Sequence, residues 1–282
     1  MFASVRQVAP SLSQAAAFGQ ARNYATLKEI QMRLKSISNI AKITKSMKMI
    51  ASTKVTKAQR AMENARVYGQ SANSLFKHIE TEEKDSAKPL VIAVSSDRGL
   101  CGGIHSSVSK ASKRYLATKD DAEVAVIGQK ARAQIQRDYR KNIVAPIWLE
   151  ASIVSDQIIA NGITVDAGKI FYNSFKSVIA YEAVGLPIHS AETIAASPKL
   201  SAYEVDDHIL KSFEEFTLAN SLYWAIAEGY ASEMAAKRTA MENATKNAGE
   251  MITKLTLTYN RSRQAAITNE LIDIITGASS LS

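Results

Sequence analysis

This 282-residue chain has only one cysteine, Cys101, and four histidines. An internal disulfide is excluded, and these few residues do not fall at a metal-ligand spacing. Long apolar runs are also lacking. The best of them, residues 89–94 and 143–149, fall far short of the roughly 18 to 20 residues that a membrane-spanning helix needs. Prolines number five, and none follows Pro198, so no proline interrupts a helix in the C-terminal stretch. Acids are missing from the start, since no Asp or Glu precedes Glu29. What is present is an apolar fraction of 46%, enough for one good core with extended structure beside it, which excludes a small peptide or a disordered tail.

The net charge of +8 is concentrated near one end. Residues 26–62 carry nine cations, Lys28, Arg33, Lys35, Lys42, Lys45, Lys48, Lys54, Lys57 and Arg60, against the single acid Glu29. Such a run is either a solvated helix face or a surface for an acidic partner. A nucleic-acid partner could use such a helix through its phosphates, with binding that weakens steeply with salt, but the segment adds no aromatic platform for stacking bases. Residues 1–24 combine Arg6 and Arg22 with several Ser and Ala and no acid. That composition predicts a cleavable organellar transit peptide, processed between Tyr24 and Ala25.

From Leu27 the apolar positions step by three and four through Ile30, Leu34, Ile37, Ala41 and Thr44, and again through Ala51, Val55, Ala58 and Met62. This is a coiled-coil seam. A second apolar row, Ile40, Ile43, Met47 and Ile50, lies beside the first, and one partner helix cannot cover both. With no Gly or Pro before Gly69, the spacing predicts a helix of roughly 40 residues. At the other end Phe213, Phe216, Tyr223, Ala227, Tyr230, Met234, Met241, Ala244, Ala248, Met251, Leu255, Ala265 and Ile272 share one 3-4 register. They predict a helix over 207–276, roughly 100 Å at 1.5 Å per residue, which must project beyond a compact body.

Between the helices the period changes. Residues 89–95 (PLVIAVS), 123–127 (EVAVI), 169–175 (KIFYNSF) and 177–182 (SVIAYE) read as strands, and 104–116, 128–139 and 152–163 as helices or helix-rich connections. The alternation predicts a mostly parallel, Rossmann-like sheet covered on its faces. Residues 190–201 read as a polar connector. The fold class is therefore α/β with long helices, the sheet domain being inserted between the halves of a helical hairpin.

Chemistry-bearing motifs are weak. The loop SSDRGLCGG (95–103) lies where a phosphate loop would, but it lacks both the Gly-Lys-Ser/Thr ending and the GxGxxG spacing, and no acid follows a second strand as a dinucleotide site requires. Asp97 and Arg98 are expected to pair or cap locally, and Gly99, Gly102 and Gly103 to permit a tight turn or close packing. Nothing in the sequence orients His105 toward Cys101 as in a nucleophilic triad. The adjacent acids Glu214 and Glu215, and Asp206 and Asp207, read as surface charges near a helix start. The methionines at helical spacing read as packing, with a thioether surface able to adapt to changing neighbours.

Three strings in order, ITKSMKMIASTK (43–54), SDRGLCGG (96–103) and RQAAITNELIDIITGASS (263–280), closely resemble the family of F-type ATP synthase gamma subunits, and the resemblance runs from residue 25 to residue 282. The lone Cys101, with no two-cysteine insertion, matches the mitochondrial rather than the chloroplast form. The resemblance implies four segments: 1–24, a mitochondrial transit peptide; 25–85, the N-terminal coiled-coil helix; 86–205, the Rossmann-like domain; and 206–282, the C-terminal coiled-coil helix. It implies an antiparallel coiled coil standing inside a hexamer of alpha and beta subunits, with the α/β domain at the foot against the c-ring and the delta and epsilon subunits. Also implied are a location peripheral to the mitochondrial inner membrane on its matrix side, a non-catalytic role, no cofactor and no nucleic acid. By motif position Arg263 and Gln264 resemble catch contacts with a beta subunit, with Thr268, Glu270 and Asp273 in the following turns. Met47 and Lys48 match the segment that faces acidic beta-subunit loops. Ile267, Leu271 and Ile274 would suit an apolar bearing.

Overall fold

The computed structural model describes residues 26–82, 88–119, 121–147, 167–203 and 205–280. The proposed transit peptide and the helical stretch expected over 152–163 lie outside them. The chain divides into two units, one comprising Met1–Ile40 with Ala248–Ser282 and the other Ala41–Asn247.

Two long helices define the chain's ends: α1 (Leu27–His78) and α5 (Asp207–Ser279). In the first unit α1 opens on a reciprocal capping box. The Glu29 amide donates to Thr26 Oγ1 at 3.3 Å and the Thr26 amide donates to Glu29 Oε2 at 2.9 Å, so two donors at the helix start are satisfied by side chains. Within this unit Ile30 is buried, whereas Met251, Leu257, Ile267, Leu271, Ile272, Ile274 and Ile275 of α5 are all about half exposed or more.

The second unit holds a five-stranded sheet: β1 (Leu90–Val94), β2 (Glu123–Ile127), β3 (Ile143–Ile147), β4 (Ala167–Ser177) and β5 (Ala180–His189), in the order β3-β2-β1-β4-β5. The first four strands are parallel, and β5 runs antiparallel to β4. The sequence expectation placed separate strands at 169–175 and 177–182. They are instead arms of one hairpin, whose second arm extends to His189 through the edge-tolerated Pro187. Helices α2 (Ile104–Leu116) and α3 (Gln129–Tyr139) cover one face through Val91, Ala93, Val124, Val126, Val108 and Ile135. The other face, carried by Leu90, Ile92, Val94 and Ile170, packs on Leu218, Leu222 and Ala225 of α5. Alternate residues of β1 thus feed two cores, which is why the whole strand is apolar.

That second face corrects the register read for the start of α5. Phe216, Tyr223 and Tyr230 are 38–48% exposed, while Leu218, Leu222 and Ala225, outside the expected register, are buried; Met234, within it, is buried as expected. Here α5 meets a sheet as well as a helix, so its buried face is not the single stripe of a two-helix coil. Phe216 still contributes, meeting Tyr68 of α1 edge to face at 6.3 Å between centroids. The connector 190–201 also contains structure: a short helix, α4 (Ala191–Ala195), capped by Ser190. Glu214, expected as a surface charge, accepts from the Ala191 amide at 2.9 Å.

Helix α1 runs past Gly69 rather than ending there. A Cβ on Gly69 would lie 2.8 Å from Trp224 of α5, so this glycine permits a close helix crossing and does not break the helix. The expectation of about 40 residues was short because it treated the glycine only as a stop.

Candidate functional site

Within residues 41–247 the two long helices are joined by polar pairs of regular order. Thr245 donates to Thr44 at 2.9 Å, Lys48 to Glu242 at 2.7 Å, Arg66 to Glu228 at 2.8 Å and Asn73 to Ser221 at 3.3 Å. Numbers rise on α1 as they fall on α5, so the pair is antiparallel. Between these links lie Ala51, Val55, Ala58 and Met62 of the expected seam, all buried, and Val55, Ala58 and Met62 pack with Ala231, Met234 and Ala235. The expected second row is left open: Ile40, Ile43 and Ile50 are 51–58% exposed, and Met47 is half-buried.

Lys48 is tied to Glu242, whose carboxyl is held below its usual value first by that hydrogen bond and then by the lysine's charge. The other residues expected to meet a partner stand on the exposed far part of α5. Arg263, Gln264, Thr268, Glu270 and Asp273 are all exposed. Thr268 Oγ1 donates to the Gln264 carbonyl at 2.9 Å, a local bond that leaves the Gln264 amide group available.

Sequence reasoning missed the most constrained polar group in the unit, Glu228. Its surface is 1% exposed, yet three donors meet it. Arg66 Nε and Trp224 Nε1 both donate to Oε1 at 2.8 Å, and the Phe175 amide donates to Oε2 at 3.1 Å. Burial pushes the carboxyl's pKa up, but the bonds from Arg66 and Trp224 together with the guanidinium charge outweigh it, and the net shift is downward. Burial, and then the charge of Glu228, raises the neighbouring Tyr172 phenol. The available signal was an acid within the apolar run YWAIAEGY (223–230), a placement that demands a partner.

The cluster also solves a problem at the sheet. Strand β1 pairs with β4 only as far as Phe171, leaving β4 backbone groups beyond that point without a strand partner on that side. Ser232 of α5 donates to the Asn173 carbonyl at 3.1 Å, Arg66 of α1 to the Phe175 carbonyl at 3.1 Å, and Glu228 accepts the Phe175 amide. Side chains from both long helices therefore stand in for the missing strand.

The SDRGLCGG loop is organised otherwise than expected. Asp97 does not pair with Arg98; its Oδ1 accepts the Gln129 amide at 2.6 Å and so caps α3 from outside that helix. His105, for which no orienting group was expected, is held by Ser95 at 2.8 Å on Nδ1. Its Nε2 lies 2.8 Å from the Arg98 carbonyl and 3.0 Å from Cys101 Sγ. A carbonyl only accepts, so in the neutral ring Nε2 carries the proton and cannot take one from the thiol. Cys101 is 1% exposed, and burial, followed by Glu233, pushes its thiol pKa up. This is a packed thiol and not an activated nucleophile. Among the described residues, no group of three His, Cys, Asp or Glu could hold a metal ion.

Residues 26–281 match the family model described as ATP synthase. The chain is 46% identical to the Drosophila melanogaster mitochondrial ATP synthase subunit gamma, covering 93% of each chain, and 45% identical to that of Yarrowia lipolytica, covering 93% of this chain and 94% of the relative. It is 44% identical to the rat mitochondrial F(1) complex subunit gamma over 91% of this chain and all of the relative. A Tetrahymena thermophila mitochondrial ATP synthase structure of the central stalk and c-ring contains a chain that is 25% identical with TM-score 0.61, covering 72% of this chain and 99% of that one. A chain of the Euglena gracilis mitochondrial enzyme shares the fold with TM-score 0.74 at 18% identity, over 90% and 94% of the two chains. With two long terminal helices, a central mixed sheet and these relatives along nearly its whole length, this chain belongs to the ATP synthase gamma-subunit family.

Proposed function

We propose that the chain is the central rotor shaft of a mitochondrial F-type ATP synthase, coupling proton-driven rotation of a c-ring to conformational cycling of catalytic beta subunits. It carries no active site of its own in this reading. The observation that supports it most is the uncovered apolar side of the long helices: Ile267, Leu271, Ile274 and Ile275 on α5, and Ile40, Ile43 and Ile50 on α1, are all more than half exposed. Exposed apolar rows on helices call for enclosure by other chains, and alpha and beta subunits are the proposed enclosure. Coupling then requires that the shaft meet the three beta subunits unequally, since only a differential interaction shifts their equilibrium.

Arg263 and Gln264, followed by Thr268, Glu270 and Asp273, form the proposed contact with a beta subunit. Met47 and Lys48 would serve the same partners from α1. Lys48 would do so by exchanging Glu242 for an acidic loop. Delta and epsilon subunits and the c-ring are the proposed partners of the α/β domain, 86–205, flanked by the helical segments 25–85 and 206–282. Residues 1–24 would direct import and be removed, leaving the chain peripheral to the inner membrane on the matrix side. No helix among the described residues is long and apolar enough to cross a membrane. The test is co-purification of the mature chain, tagged on its α/β domain, from mitochondria in mild detergent. Recovery of alpha and beta subunits with oligomycin-sensitive ATPase activity is expected; recovery of the chain alone, or mainly with nucleic acid, would reject the assignment.

A further inference from the structure

Positive charge gathers a second time, on the helices that cover the sheet. Residues 104–142 carry nine cations against four acids, an excess hidden in the net charge because acids elsewhere offset it. Lys110 and Arg114, one turn apart on α2, and Lys130 and Arg137, two turns apart on α3, are exposed, as are Arg140 and Lys141 directly after α3. None of the six has an ion-pair or hydrogen-bond partner among the described residues. Val108, Leu116, Ala131 and Ile135 of the same helices enter the core, so the cations stand on the solvent side of both.

The two helices are held side by side. Gln134 donates to Ser106 at 3.3 Å and Lys113 to Asp138, so residue numbers rise together on α2 and α3, and their solvent sides form one broad face. Asp138 is neutralised by Lys113. The other acids of the stretch, Asp120, Asp121 and Glu123, gather at the turn into β2. No well-exposed large apolar side chain lies on α2 or α3 among the described residues, so the face lacks the anchors around which a protein interface is built. Tyr115 and Tyr139 are half-buried, Tyr115 with Lys169 over its ring at 5.6 Å, and no platform for stacking bases stands out. On α1 the cations are dispersed instead: Lys45 and Lys54, nine residues apart, lie on opposite sides of the helix at 3.6 residues per turn.

We propose that the α2/α3 face docks the chain on the anionic headgroup surface of a lipid bilayer. Clusters of roughly four to eight Lys or Arg bind such a surface, and each cation within a Debye length of it, about 10 Å at 0.1 M salt, strengthens binding about fivefold. Six unpaired cations on one side of two parallel helices reach a plane together, which cations around a rod cannot. The choice of a bilayer over other polyanions rests on the proposed location of the chain, peripheral to the inner membrane. The contact is electrostatic, without insertion, and serves the free chain before the complex forms around it.

The experiment is sedimentation of the purified mature chain with vesicles of phosphatidylcholine alone or mixed with phosphatidylglycerol. Binding to the mixed vesicles only is expected, and its loss when salt is raised to about 0.5 M. The variant Lys110→Gln/Arg114→Gln/Arg137→Gln/Arg140→Gln should bind at least about a hundredfold more weakly. An equal change of charge on α1, Lys42→Gln/Lys54→Gln/Lys57→Gln/Arg60→Gln, should cost less than about fivefold. All eight side chains are exposed, so both variants should keep a native circular dichroism spectrum and thermal melt. No binding to the mixed vesicles, an equal loss in the two folded variants, or tighter binding to a short DNA duplex at equal phosphate concentration would each overturn the proposal. Vesicle binding is read on the chain alone, whereas failure of the rotor reading would show as lost co-purification with alpha and beta subunits, so the two failures are told apart.

Discussion

Arg66 of α1 and Glu228 of α5 meet at 2.8 Å, with the arginine side chain one-third exposed and the glutamate fully enclosed. Removing the cation therefore strands a buried carboxylate. Arg66→Met should destabilise the unit on the order of 3 kcal/mol, the low end for breaking a buried pair because Arg66 retains contact with water. The double variant Arg66→Met/Glu228→Leu should recover much of that loss. Denaturant unfolding of the two variants checks both; a double variant no better than the single one would mean that the carboxylate's isolation is not the cause.

The same pair sets an acid dependence. Glu228 has a folded pKa below its unfolded value, so its stabilising contribution is fully present above the unfolded carboxylate value of about 4.3 and is lost as pH falls through the folded one. The stability gap between the wild type and Glu228→Gln should be flat between about pH 5 and 8 and narrow on acidification below about pH 4. Melting temperatures across that range give the result directly, and a gap that widens in acid would reverse the sign of the argument.

Gly69→Ala tests the close crossing. Helix propensity alone favours alanine by about 1 kcal/mol, but the added methyl would sit 2.8 Å from the Trp224 ring. Overpacking of this kind costs roughly 1 to 3 kcal/mol. A net loss of stability is expected, accompanied by a shift in Trp224 fluorescence. A stabilised variant would show that the helices part easily there.

Cys101 should resist alkylation in the folded chain, because its sulfur is buried and its pKa raised, and the thiolate is the reactive species. Iodoacetamide labelling followed by mass spectrometry should give modification only after denaturant is added. Rapid labelling of native protein at neutral pH would contradict the packed-thiol assignment.

Arg263→Ala combined with Gln264→Ala should reduce the coupling of ATP hydrolysis to proton transport without preventing assembly, since both residues are exposed and make no core contact. Proton pumping per ATP hydrolysed, measured on the purified reconstituted enzyme, is the readout. Normal coupling would remove these residues from the proposed contact.

The long helices were legible because periodicity needs no tertiary information, and Ala51, Val55, Ala58 and Met62 were read on the face that is buried. The register of Phe216, Tyr223 and Tyr230 was not, because a helix that packs on a sheet and on another helix has no single apolar stripe. Gly69 was misjudged for a related reason: whether a glycine ends a helix or admits a neighbour depends on Trp224, more than 150 residues away in sequence. The apolar run 223–230 marks Glu228 as an acid in need of a partner, but its partners, Arg66 of α1 and the Phe175 amide where β4 outruns β1, are long-range facts that no local pattern contains. The proposed contacts at Arg263 and Gln264 came from motif position alone.

Phe175 gives the Arg66–Glu228 pair a mechanical meaning. Its amide is held by one member of the ion pair and its carbonyl by the other, so a single peptide segment of β4 is fastened to both long helices at once. Turning the helices against the sheet, or sliding them along it, would have to break charge-assisted hydrogen bonds in a site largely shut off from water. A torsional load on the helix pair therefore enters the α/β domain through a stiff joint, and twist is carried across it instead of being absorbed there.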